Sequence, residues 1–154
     1  MKFLQPITLV SLTADPASGT AGDVYFNTTD GVKRIYNGSA WEYDNQILIP
    51  YTFQGTLAVT TGVFRLYNNS GSPWIIYRSD VYVATAPTGA SAVFGVRVSG
   101  AAAAITLTVA TGTNAANSTT KVSVPTGGYL TVDISGVGST VAGANAQLVL
   151  LAAT

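Results

Sequence analysis

Seven carboxylates, seven lysines and arginines, no histidine and no cysteine make up the ionisable inventory, short enough to weigh residue by residue. Asp15, Asp23 and Asp30 fall at irregular spacing in loop-like sequence. No run there supplies the alternating oxygen ligands of a calcium loop, so these residues read as turn caps or solvated loop positions. Glu42 and Asp44 are two apart and could share one strand face. Glycoside hydrolysis needs carboxyl groups facing each other across the scissile bond, which strand neighbours do not provide. A serine nucleophile has no base: histidine is missing, and neither Lys33 nor Lys121 sits in a Ser-x-x-Lys arrangement. The glycine-rich "GTAGD" and "SGVGST" lack the strand–loop–helix setting and Gly-Lys-Ser/Thr ending of a phosphate loop, and read as turns. The absence of cysteine excludes disulfides and thiolate zinc sites and leaves the redox compartment open. The expectation is a protein that is not an enzyme, with no catalytic residues, cofactor or metal.

Charge is scarce as well as balanced. Charged residues are 9% of 154 and the net charge is zero, against about 25% charged in an ordinary soluble domain. No field exists to attract nucleic acid or an anionic membrane. A near-neutral surface also does little to hold copies apart, which favours life in an assembly. "MKFLQPITLVSL" has Lys2 ahead of apolar residues, but Gln5 and Pro6 interrupt the run and Ile7–Leu12 is short for a signal-peptide core. No stretch approaches the roughly 20 apolar residues of a membrane span.

The elements that position these residues read as strands throughout. The chain to about Leu12 is an extended strand or arm, and "TADPASGTAGD" (13–23) is a loop. "VYFNTTDGVKRIYNGSAW" (24–41) packs two turn signals among large side chains. Asp30-Gly31 and Asn37-Gly38 supply the φ > 0 positions of tight hairpins, predicting a β-meander of 24–27, 32–36 and 41–43. So small a sheet buries little alone and needs a neighbour. "DNQILIP" reads as a connecting strand ending at Pro50.

From Tyr51 the texture changes to Thr, Val, Ala and Gly, with Asp80 and Asp133 the only acids. Period-two alternation places Ile105, Leu107 and Val109 opposite Thr106 and Thr108. It also places Leu130, Val132 and Ile134 opposite Thr131 and Asp133, and Phe94, Val96 and Val98 opposite Gly95 and Arg97. Strands are expected near 56–59, 63–67, 74–84, 92–99, 104–110, 121–124, 129–134 and 146–151, with turns at "NNSGSP", "APTGAS", "TGTNAANST", "PTGG" and "GVGSTVAGAN". Ala101–Ala104 has helical propensity but lies among strand formers. The predicted fold is all-β: an N-terminal arm and meander (1–50), then a jelly-roll-like antiparallel β-sandwich head (51–154). Asn27, Asn37, Asn68 and Asn117 each begin an Asn-x-Ser/Thr sequon, matches that arise by chance in so Asn-, Ser- and Thr-rich a chain. Trp41 and Trp74 read as packing aromatics before sugar platforms.

Two stretches carry a family likeness. "ADPASGTAGDVYFNTTDGVKRIYNGSAW" (14–41) resembles a module of tailed-bacteriophage fibre and minor structural proteins, through Asp15-Pro16, Gly22-Asp23-Val24-Tyr25, Asn27-Thr28-Thr29 and Tyr36-Asn37-Gly38…Trp41. The later chain resembles a β-sandwich module of phage virion proteins, through Arg65-Leu66-Tyr67-Asn68, Ala86-Pro87-Thr88-Gly89-Ala90, Leu130-Thr131-Val132-Asp133 and Val137-Gly138-Ser139-Thr140. Related modules often carry an extra strand mid-sandwich, whereas this chain passes directly from Ala110 to Lys121, and it lacks a repetitive fibre shaft. The resemblance implies a virion structural protein closest in size to capsid decoration proteins, which are commonly homotrimers on the outer capsid surface. Its partners would be sister chains and the major capsid protein or another virion protein, with no nucleic acid or membrane. Phe3, Leu4, Ile7, Leu9, Tyr25, Phe26, Ile35, Tyr36 and Trp41 are the expected assembly interface. The alternative is a tail-fibre or minor tail protein acting as an adhesin for host surface glycans.

Overall fold

The computed structural model describes residues 8–154. Every regular element among them is a strand, and they form two compact units, 8–46 with Ala153–Thr154 and Ile47–Ala152.

The first unit is a four-stranded sheet of β1 (Ser11–Leu12), β2 (Val24–Asn27), β3 (Val32–Tyr36) and β4 (Trp41–Tyr43), in that order. The two glycine turns fall where the sequence puts them, with Gly31 at φ 70° and Gly38 at φ 101°. Within the N-terminal segment the described residues supply β1, which joins β2 in parallel. Three sequons have a physical basis here. Asn27 Oδ1 accepts from the amides of Thr29 and Asp30, Asn37 Oδ1 from Ser39 and Ala40, and Asn68 Oδ1 from Ser70. A side chain that closes a turn on the residue two places on selects Asn followed at i+2 by small polar residues.

The second unit is a sandwich. One sheet has the order β10 (Ala115–Ser118), β7 (Trp74–Thr85), β13 (Ala144–Ala153), β5 (Gln46–Thr56), with β11 (Val122–Val124) also on β7. The other has the order β6 (Thr60–Tyr67), β12 (Tyr129–Gly136), β8 (Ala92–Val98), β9 (Ile105–Val109). Ile76, Val81, Leu148 and Leu150 from the first sheet and Phe94, Val96, Leu107, Leu130 and Ile134 from the second share one core cluster. Each such side chain contributes about 1.5–3 kcal/mol on burial.

Three expectations are corrected. The strand expected to stop at Pro50 runs on to Thr56, and residues 57–59 are not strand, although Leu57 is buried. β5 is an edge strand, where a missing proline N–H breaks no ladder. The stretch between Ala110 and Lys121, expected to be a turn, holds β10, whose Ala-Ala-Asn-Ser sequence has little strand propensity and takes its form from pairing with β7. β10 and β11 continue one another along β7: 115–118 face 82–79 and 122–124 face 76–74. Residues 119–121 therefore oppose only Tyr77 and Arg78, a one-residue bulge. Finally, Thr131 and Asp133 are 3% exposed despite lying opposite the core face. Asp133 is covered by the Arg97 guanidinium and takes the Gly62 amide at 2.7 Å.

Candidate functional site

Register divides the meander into two faces. Pairing of Tyr25 with Arg34, Asn27 with Val32, Arg34 with Tyr43 and Tyr36 with Trp41 puts all seven of these residues on one side. The loop 13–23 folds over that side. Trp41 Nε1 donates to the Pro16 carbonyl at 3.0 Å, and Gly19 lies so close to the rings that a Cβ there would stand 2.9 Å from Tyr36 Cγ. Tyr25 and Trp41 meet edge to face at 5.0 Å, and Tyr36 and Trp41 are tilted at 58° with centroids 5.2 Å apart. Beneath the loop, Asp15 accepts from Tyr25 Oη and, at 2.8 Å, from Arg34 Nη2. The same Nη2 donates to the Trp41 carbonyl, and the Arg34 guanidinium lies 4.1 Å above the Tyr43 ring. Burial, followed by the hydrogen bond to Asp15, raises the Tyr25 pKa above its ordinary value.

The residues expected to form an assembly surface are thereby separated. Phe3, Leu4 and Ile7 lie outside the described residues. Leu9 is half-buried ahead of β1. Tyr25 is 2% exposed, a core residue of its own unit that its own loop covers. Tyr36 and Trp41 are half-buried in the same cluster. Phe26 and Ile35 point to the opposite face with Val24, and Phe26 remains 37% exposed.

One sandwich strand, β6, carries exposed large apolar side chains that sequence pattern did not single out; Leu48, Val59 and Tyr82 elsewhere in the unit are comparably exposed. No residue of β6 is buried, and Phe64 is 64% exposed, Tyr67 45% and Leu66 38%. Register along β6 slips twice against β12, between Leu130 and Val132 and between Val132 and Ile134. Gly62, at φ 69°, and Phe64, at φ 51°, occupy those irregularities. Left-handed backbone is ordinary for glycine but strained for phenylalanine, at roughly 1–2 kcal/mol. Two clefts flank Phe64: one of about 290 Å³ against Phe53, Leu57, Ala58 and Ile134, the other of about 410 Å³ against Pro50, Tyr51, Thr52 and Leu66. The Tyr51 hydroxyl is buried without a hydrogen-bond partner, and desolvation pushes its pKa up to about 12.

All seven carboxylates are engaged within the chain. Asp23 caps the Thr20 amide, Asp30 accepts from Tyr43 Oη, Glu42 accepts from Asn37 Nδ2, and Asp15, Asp44, Asp80 and Asp133 pair with Arg34, Lys33, Arg78 and Arg97. Glu42 and Asp44 thus hold separate partners rather than facing one another across a cleft. Among the described residues, no group of three or more acids is placed to hold a metal ion. No protein-family model, curated protein or solved structure matches the chain.

Proposed function

We propose that the chain is a non-enzymatic structural protein of a tailed-bacteriophage virion, a homotrimeric decoration protein on the outer capsid surface. On this reading the meander unit is the attachment element and the sandwich the exposed head. Counted from β5, with β10 and β11 as one interrupted strand, the sheets have the orders 6-3-8-1 and 2-7-4-5, and we read this as the double Greek key of a jelly roll.

The observation that carries the assembly reading is Phe64. A phenylalanine held at φ 51° and 64% exposed is unfavourable twice over in an isolated chain. Both features become useful when a second copy of the chain covers the ring and fills the clefts beside it. The near absence of charge on the same strand, which carries only Arg65, suits such contact. Cementing then works by mass action: burial across subunits, about 800 Å² per partner in a standard interface, stabilises the assembled state without chemistry. Sedimentation equilibrium at micromolar concentration and binding to emptied capsids test the proposal. A trimer that binds capsids supports it; a monomer that ignores them overturns it.

A further inference from the structure

Three of the four arginines hold carboxylates, namely Arg34, Arg78 and Arg97. Arg65 alone has no acidic partner among the described residues. Its guanidinium carbon lies over the Tyr129 ring, 5.0 Å from its centre, and its N–H donors make no hydrogen bond among the described residues. Tyr129 in turn sits 5.3 Å from Tyr67, its register partner across β6 and β12, so the arginine borders a pair of tyrosine rings. Beside them opens a cleft of about 130 Å³ lined by Thr61, Arg65, Arg97, Tyr129 and Thr131. Arg97 is fixed there by Asp133 and by the Ala101 carbonyl at 3.0 Å, so its charge is matched locally and the cleft keeps one net positive charge, that of Arg65.

We propose that this cleft binds a saccharide through its carboxylate, as a hexuronic acid residue presents it. The chemistry is complementary at each point. A planar, unpaired guanidinium takes a carboxylate by two parallel hydrogen bonds. The exposed Thr61 hydroxyl offers a partner to ring hydroxyls, and the tyrosine rings an apolar platform for the sugar face. The volume is below the 300 Å³ or so at which clefts enclose whole ligands, so the site grips one acidic edge and leaves the remainder of the saccharide over Tyr67 and Tyr129. The inference goes beyond the virion reading; Arg65 also borders the cleft of about 410 Å³ beside Phe64, and saccharide titration reads this site separately from sedimentation and capsid binding.

The test titrates the full chain with a galacturonic acid trisaccharide, followed by calorimetry and by NMR shifts. Binding should weaken about tenfold for the methyl ester of the same trisaccharide and about tenfold in Arg65→Ala, the loss expected when a charge-assisted hydrogen bond is removed. Arg65→Lys, which keeps the charge but not the planar fork, should fall between, and Tyr67→Ala should weaken binding with the charge intact. Circular dichroism checks that each variant is folded; Arg65 and Tyr67 are both exposed, so neither change opens the core. The proposal is overturned if the trisaccharide does not bind, if the ester binds as well as the acid, if Arg65→Ala binds undiminished, or if equimolar acetate displaces the sugar.

Discussion

Arg34 and Asp15, nineteen positions apart, meet at 2.8 Å where the loop 13–23 closes over the meander. The arginine side chain is 8% exposed and the aspartate 40%, so one partner is buried and the other reaches solvent. Removing the aspartate leaves a buried cation without its counter-charge, and with it go the Tyr25 hydroxyl's acceptor and the fastening of the loop.

Asp15→Ala should therefore destabilise the meander unit by about 1–3 kcal/mol, between the small value of an exposed pair and the 3–5 kcal/mol of breaking a fully buried one. Urea unfolding followed by Trp41 fluorescence, in a Trp74→Phe background, reads that unit. An unchanged midpoint would show that the pair fastens nothing.

Gly19 faces the same rings from the loop side. A Cβ at this position would stand 2.9 Å from Tyr36 Cγ and 3.0 Å from Trp41 Cζ2, both well inside packed rings rather than at flexible ends. Gly19→Ala should lift the loop and cost about 1–3 kcal/mol, as overpacking does. Trp41 emission should shift to the red as its indole loses cover. The control is Gly31→Ala, where no atom lies within 4 Å and any loss comes from φ 70° alone.

Tyr51 makes a prediction of the opposite sign. Its hydroxyl is buried and unpartnered, so Tyr51→Phe removes an unsatisfied group and should stabilise the sandwich by about 1 kcal/mol, or some 2–4 °C in Tm for a chain of this size. The pH dependence follows from the same burial. With its pKa raised from 10.0 to about 12, the folded chain keeps the phenolic proton where the unfolded chain has lost it. The folded state then binds more protons, so stability is complete below pH 10 and falls as pH rises toward 12. Tyr25, also raised, acts in the same direction. Tyr51→Phe should flatten the alkaline limb of a Tm–pH profile without abolishing it.

How much of this was legible in the sequence depended on where the determining force lay. The meander's turns were, because Asp30-Gly31 and Asn37-Gly38 dictate local backbone regardless of surroundings. So were β9 and the core side of β12, where alternation alone sorts Ile105, Leu107 and Val109 inward. β10 was not, since its pairing with β7 is supplied by a partner thirty or more residues away. Nor was the face chosen by Tyr25, Tyr36 and Trp41. Their size announced burial, but only the path of the loop 13–23 decides that the burial is internal. Phe64 was hidden for a third reason: it occupies a bulge, and a bulge breaks the period by which strand residues are assigned a side.

Phe64 also separates stability from assembly in a single substitution. Phe64→Gly removes the backbone strain at φ 51° and should leave the isolated sandwich no less stable, since glycine's greater unfolded-state entropy offsets part of the relief. The same change deletes the ring that stands between the two clefts, so self-association should weaken by tenfold or more, about 1.4 kcal/mol, in sedimentation equilibrium. Phe64→Ala keeps the strain while removing the ring, and should lose association to the same extent with a lower Tm than Phe64→Gly. If both variants associate as the parent does, the strained phenylalanine is no contact residue. If Phe64→Ala melts at or above Phe64→Gly, its backbone is not strained as the torsion implies.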